Sequence, residues 1–167
     1  QGLAAAARVF EILDLPEETM DKPDAKKADG LRKGLEFRDV SFKYGEKWVL
    51  KGINLKVQKG EVVAVVGTSG VGKTTFVNLI PRFDDVIEGS VFFDNVDIRD
   101  ITRDSLRKQI AIVSQQVILF NDTVKKNIAY GDVKISDADI INAAKAANAD
   151  IFIQKLPNGY DTVIGEG

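Results

Sequence analysis

The sequence contains no cysteine and no histidine, and only one methionine and one tryptophan. Without cysteine there is no disulfide scaffold and no thiolate metal site. Without histidine the commonest general base and metal ligand near neutral pH is missing. Any chemistry must use carboxylates, lysine, hydroxyls, amides or a bound ion. Neither sign of charge dominates: 23 Lys and Arg stand against 25 Asp and Glu, for a net charge of −2. That balance argues against a general nucleic-acid binder, which is usually basic. The strongest apolar run, Val62–Val66, falls far short of the roughly 18–20 residues of a membrane span. No basic stretch leading into an apolar core marks the N-terminus as a secretory leader. What is present is 167 residues of ordinary globular composition, enough for one domain with its own core and a short extension.

The periodicities order the chain. Leu3, Ala7, Phe10 and Leu13 recur at helical spacing and predict a helix over 1–15, stopped by Pro16. Residues 17–33 hold five acidic and five basic side chains, broken by Pro23 and Gly30; this reads as a solvated tether. The globular part starts at Gly34. Leu35 and Phe37 alternate, then Val40, Phe42 and Tyr44 alternate on the other parity, which predicts a bulge near Arg38–Asp39 or a strand buried on both faces. Gly45-Glu46 marks a turn into a second strand through Ile53, Leu55 and Val57, and Lys59-Gly60 turns the chain again. Val62–Val66 reads as a central parallel strand and Ile110–Val113 as another buried strand. Val91–Phe93 reads as a further strand, Thr102 as the cap of a short helix, and residues 123–128 as a helical turn. Ser136-Asp137-Ala138-Asp139 resembles a capping box opening an Ala-rich helix over 137–148, and Leu156–Gly159 reads as a turn.

One motif carries chemistry. Gly67-Thr68-Ser69-Gly70-Val71-Gly72-Lys73-Thr74 fits G-x-x-x-x-G-K-[ST], between a buried-strand pattern and a helical one that runs through Thr75 to Ile80. Glycine lets the backbone approach a phosphate without a Cβ clash. Successive N–H groups then form an anion-binding nest, and the helix that follows points its positive end at the same anion. Lys73 reaches the β- and γ-phosphates as a point charge, and the Thr74 hydroxyl is placed to ligate Mg²⁺. Asp94 follows an apolar strand, but Asn95 comes next, not Glu; it is read as a hairpin residue and not as a metal-binding carboxylate.

The motifs around this loop resemble the nucleotide-binding domain of ATP-binding cassette exporters, nearest the lipid A and multidrug group. Val40–Gly45 looks like the family's adenine-stacking segment, Leu50–Leu55 with Lys59–Glu61 like its strand pair before the phosphate loop, and Gly89–Val91 with Asp94, Asp97 and Ile98 like its next hairpin. Residues 114–116 look like its Q-loop. Leu119-Phe120, Thr123-Val124 and Asn127–Tyr130 match the exporter segment beyond, and residues 123–161 resemble part of the helical subdomain. Arg8–Asp14 resembles the end of the linker from the last membrane helix. The resemblance covers nearly the whole chain.

The resemblance implies an α/β fold, a P-loop NTPase with a parallel core sheet, an antiparallel β subdomain and part of a helical subdomain. Residues 1–33 would be the linker and 34–167 the N-terminal part of the nucleotide-binding domain. It implies ATP and Mg²⁺ as ligands, with Gly67, Thr68, Ser69, Gly70, Val71, Gly72, Lys73, Thr74 and Thr75 around the phosphates and Tyr44 stacked on adenine. Lys73 and Gln115 would serve catalysis, and Thr74 and Gln115 the metal; Gln116 is the sequence-adjacent competitor. Trp48 is outside the pattern and reads as packing. The implied partners are a second nucleotide-binding domain, as a homodimer, and a membrane domain touching Val117, Leu119 and Phe120. No nucleic acid is implied. The implied place is the cytoplasmic face of the inner membrane.

Three family features are missing. There is no Leu-Ser-Gly-Gly-Gln and indeed no Gly-Gly pair, no apolar run ending in Asp-Glu, and no switch histidine. All three lie beyond the family segment that Gly167 corresponds to, so the expectation is a domain cut before its signature loop, binding nucleotide but not hydrolysing it. The alternatives are a soluble, non-transport cassette ATPase, a nucleotide-binding interaction module and a small P-loop kinase.

Overall fold

Alternating apolar residues build a hairpin from strand β1 (Gly34–Tyr44) and strand β2 (Lys47–Gln58). In the computed structural model β1 pairs on its other edge with β3 (Glu88–Phe93), which turns into the short β4 (Val96–Asp97). The antiparallel order is β2-β1-β3-β4. The structure describes residues 8–10, 13–14, 20–130 and 134–165, which fall into two units, 1–111 and 112–167.

The parity switch in β1 is a bulge. Pairing jumps from Phe37↔Leu55 to Val40↔Ile53, and Asp39 sits at φ 47°. Asn54 holds it there: its Oδ1 accepts from the Asp39 N–H at 3.0 Å and its Nδ2 donates to the Asp39 carboxylate at 2.7 Å. The extra residue turns both Phe37 and Val40 inward. They join Phe42, Leu50, Leu79, Val91, Phe93, Ile98, Ile101 and Leu106 in the core of the first unit.

Helix α1 (Lys73–Asn78) lies against this sheet through Phe76, whose ring centroid is 4.5 Å from that of Phe37. After a turn and β3–β4 comes α2 (Arg103–Arg107), with Thr102 at its N-cap position as expected. The Thr102 hydroxyl, however, bonds the Ser105 hydroxyl at 2.7 Å and not a helix N–H.

Two expectations are corrected. Residues 62–66 and 110–113 belong to no strand, and among the described residues no parallel ladder forms beyond the single bridge Lys26↔Ile101. Val62, Val66 and Val113 are 95%, 88% and 95% exposed. A central parallel strand needs a neighbour on each edge, and no other described segment pairs with either run. Among the described residues the ladders of the expected α/β fold are those of its antiparallel part.

The second correction concerns the solvated tether. Its described part, residues 20–33, is a strap bonded along the first unit. Asp21 pairs with Arg103 and Arg82, and Lys22 with Asp100. Lys26 N–H donates to Asp100 O and Lys26 O accepts from Thr102 N–H, both at 2.8 Å. Ala28 N–H donates to the Ser105 hydroxyl at 2.9 Å. At its end the N–H groups of Arg32, Lys33 and Gly34 converge on the Asp94 carboxylate at 2.6–3.0 Å. Balanced charge gave no sign of these partners, because they lie 60 to 82 residues away.

In the expected first helix, residues 8–10 are helical and Asp14 N–H donates to Phe10 O at 2.8 Å. Leu3, Ala7 and Pro16 lie outside the described residues, as do Glu166 and Gly167.

In the second unit β5 (Asp122–Thr123) pairs with β6 (Val163–Ile164). Between them lie α3 (Val124–Ile128), α4 (Asp137–Ala146) and α5 (Asp150–Ile153) around Val124, Ala144 and Ile153. Ser136 caps α4 as expected, its Oγ accepting from Asp139 N–H at 3.2 Å, but the Asp139 carboxylate accepts from the Ser136 hydroxyl at 2.6 Å, which is half of the expected capping box. Tyr160 donates its hydroxyl to Asp150 at 2.7 Å. Burial first, and then the anionic neighbour it would have to repel, push the phenol up to about 12.

Candidate functional site

The phosphate-loop motif forms a turn that ends on α1. Gly72 occupies the N-cap position at φ 102°, a region L side chains rarely adopt. A Cβ there would lie 2.8 Å from Val49 Cγ1 and 3.3 Å from the Val49 carbonyl, so close packing and backbone conformation both require glycine. The first N–H groups of α1 have no partner within the helix, and the helix bears no acidic residue in its first turn. No acidic side chain of the first turn therefore competes for the positive end of the helix.

Lys73 folds back over the loop. Its Nζ donates to Gly67 O at 2.8 Å and to Thr68 O at 2.7 Å, which holds the ammonium inside the turn. Thr68, Ser69, Gly70, Val71 and Thr74 are exposed, while Lys73 and Thr75 are half-buried. The first two carbonyls of the loop thus hold its one cation. Val71, Gly72 and Lys73 also line a cavity of about 400 Å³ whose other walls are mostly apolar, Leu50, Val65 and Phe76 among them. Its apolar walls suit packing and not a phosphate.

Tyr44 ends β1 in the same unit and is 51% exposed. Its ring stands edge-on to Phe42, with centroids 4.8 Å apart and planes at 85°. Its hydroxyl is 3.5 Å from an Asp84 oxygen. Trp48 is half-buried beneath Lys43, whose Nζ lies 5.5 Å from the ring centroid. Asp94 sits in the tight β3–β4 turn at φ 51° and accepts the three strap N–H groups. Its carboxylate is committed to backbone, which fits the hairpin role and not a metal.

Gln115 and Gln116 belong to the second unit and are both exposed, in a bend where Ser114 Oγ donates to Gln116 O. Val117, Leu119 and Phe120 follow at 68%, 41% and 45% exposure. The Phe120 ring stacks on Tyr130 at 4.4 Å. Asn127 clamps this segment: its Oδ1 accepts from Phe120 N–H at 2.8 Å, and its Nδ2 donates to the carbonyls of Phe120 and Thr123 at 2.9 and 3.0 Å. Motif matching marked Asn127 but gave it no role; an amide carries both donors and an acceptor, which is the signal for such a clamp.

Among the described residues no group of three acidic side chains gathers to hold a metal. Thr74 and Gln115 offer hard oxygen donors of the kind Mg²⁺ takes alongside phosphate oxygens and water.

Known proteins resemble this chain along its whole length. A family model described as ABC transporter matches residues 50–165. The chain is 57% identical over its whole length to an ATP-dependent lipid A-core flippase of Desulfotalea psychrophila, covering 29% of that protein. It is 55% identical to the protein of the same description from Syntrophus aciditrophicus, over 99% of the chain and 28% of the relative. Among solved structures it resembles a bacterial Atm1-family ABC exporter with ATP bound, at a TM-score of 0.88 and 42% identity, over 99% of this chain and 29% of that one. The chain thus spans less than a third of the relatives it matches. A phosphate loop of this form, set in a match across residues 50–165, makes the chain a member of the ABC transporter family, within its ATP-binding domain.

Proposed function

We propose that this chain supplies the nucleotide-binding part of an exporter that uses ATP to move a lipid or amphipathic molecule across a membrane. The observation that carries the reading is Lys73 held over a glycine turn that leads into a helix with no acidic residue in its first turn. Lipid A-core flippases at 57% and 55% identity support the cargo class and favour an exporter over a soluble ATPase. Gly67–Thr75 wrap the phosphates, Lys73 neutralises their charge, and the exposed Tyr44 face stacks on adenine. Such base–aromatic stacking is worth roughly 1–3 kcal/mol in nucleic-acid complexes.

In the first unit Thr74 would ligate Mg²⁺, which when bound neutralises charge on the β- and γ-phosphates; Gln115 is proposed as a metal ligand on the family resemblance alone. Gln115, neutral and exposed, can enter and leave that shell without a change of charge. The apolar segment Val117–Phe120, clamped by Asn127, is where a membrane domain would seat, on the cytoplasmic side of the inner membrane. A second nucleotide-binding domain, paired as a homodimer, is the partner that the likeness to exporters supports. Titration of the chain with ATP·Mg tests the reading. Saturable binding that Lys73→Ala weakens supports it; no binding by the wild type overturns it.

A further inference from the structure

The exit of α1 is tied down by charges from three places in the sequence. Helix α1 ends at Asn78, and the backbone turns left-handed at Arg82, φ 54°. The carbonyls of Pro81 and Arg82 are both taken by Arg107 of α2, at 2.9 and 2.8 Å. The Arg82 side chain is 3% exposed. It forks onto Asp85 at 2.9 and 3.2 Å and reaches the carbonyls of Ile98 and Ile101 at 3.3 and 3.4 Å.

The strap completes this knot. One Asp21 oxygen lies 3.7 Å from the Arg82 guanidinium and 3.4 Å from Arg103 Nε. Both Asp21 oxygens accept from the Arg103 backbone N–H at 3.1 Å. Asp21 thus stands at the N-terminus of α2, where Thr102 makes no side-chain cap bond, and where a carboxylate is favoured by the unpaired donors and the dipole. A single strap carboxylate thus reaches both the Arg82 turn that ends α1 and the start of α2. The other end of α1 carries Lys73 and Thr74. Six helical residues separate the two ends, about 9 Å at 1.5 Å per residue.

We propose that Asp21 is a positioning residue for the phosphate loop. By holding the exit of α1 it sets the angle at which Lys73 and Thr74 meet a nucleotide, so docking of the strap and binding of nucleotide favour each other. This rests on the nucleotide-binding reading above. Thermodynamic linkage requires the effect to be reciprocal: nucleotide must tighten the strap by the same factor that the docked strap tightens nucleotide.

The test uses the full chain with ATP·Mg as probe. Hydrogen exchange is followed at the amides of Lys26, Ala28 and Thr102, which report strap docking, and affinity is measured for Asp21→Ala, Asp21→Glu and Lys22→Ala. ATP should slow exchange at those amides several-fold. Asp21→Ala should weaken ATP three- to tenfold, and Asp21→Glu should recover most of the loss. Lys22→Ala removes a half-exposed strap ion pair that does not touch the α1 exit; such pairs add little to docking, so it should weaken ATP less than Asp21→Ala does. The proposal is overturned if Asp21→Ala binds ATP as the wild type does, or if Asp21→Glu recovers none of the loss. Should Asp21→Ala not fold, wild-type exchange still decides, because no ATP-dependent slowing at the strap overturns the coupling. Wild type that binds no ATP at all removes the nucleotide reading itself; wild type that binds ATP with an indifferent strap removes only this inference.

Discussion

Lys73 donates its ammonium to the carbonyl of Gly67 at 2.8 Å, six residues upstream. The bond closes the glycine turn on itself and stores the cation where a phosphate would meet it. Anion binding exchanges neutral carbonyl partners for a charged one, and charge-assisted bonds are about twice as strong. Lys73→Ala should weaken ATP·Mg binding about tenfold, which is about 1.4 kcal/mol. Lys73→Arg should not restore it, because a planar fork cannot replace a point charge inside a tight turn. Calorimetric titration checks both; unchanged affinity in the alanine variant removes Lys73 from the site.

Gly72→Ala separates space from conformation. At Gly72 a Cβ meets Val49 Cγ1 at 2.8 Å and the backbone is at φ 102°. At Gly70 the φ is also positive, 79°, but nothing lies within 4 Å of a Cβ. Left-handed backbone alone costs about 1–2 kcal/mol for a residue with a side chain. Gly70→Ala should therefore lower stability by about 1 kcal/mol, and Gly72→Ala by clearly more, because the sheet edge must also shift. Denaturant midpoints of the two variants decide; equal losses mean that packing against Val49 contributes nothing.

What was legible in the sequence is what neighbours in the chain decide. The bulge at Asp39 showed as a change of parity, the cap at Ser136 as four adjacent residues, and the phosphate loop as eight. The strap did not show, because Asp21, Ala28 and Gly34 bond to residues 60 to 82 positions away. An Asp among balanced charges reads the same whether it is solvated or caps a distant helix. The Val62–Val66 run was misread for the opposite reason. Its composition is that of a buried parallel strand, but a strand exists only with partners, and no described segment supplies one. For the site, the loop and Lys73 were readable, while the knot around Arg82 was not.

Asp94 makes the acid limb of stability testable. Burial is the largest single influence on its carboxyl and pushes it up. The N–H groups of Arg32, Lys33 and Gly34 together outweigh burial and hold it below the ordinary value. A carboxylate lowered on folding stabilises the protein above its unfolded value, about 3.9, and that contribution is lost as pH falls through the folded one. Asp94→Asn should lower the urea midpoint at neutral pH, and the gap from wild type should close as pH drops below about 4. A gap that stays constant with pH means the strap N–H groups do not distinguish the charged from the neutral acceptor.

The exposed valines predict self-association. Residues 62–66 carry high β propensity with no charge and no proline, and they have no ladder partner among the described residues. Such windows of five to seven residues template pairing between chains. At 95% exposure Val62 packs on little within the chain, whereas Val65 is 43% exposed and lines the apolar cavity. Val62→Lys should therefore slow concentration-dependent light scattering several-fold with no change in the unfolding midpoint. Val65→Lys should slow it too, but at a loss of stability, since the charge enters an apolar wall. If the wild-type chain stays monomeric up to high concentration, the backbone of residues 62–66 is not available for pairing, and the valine run is not the adhesive surface argued here.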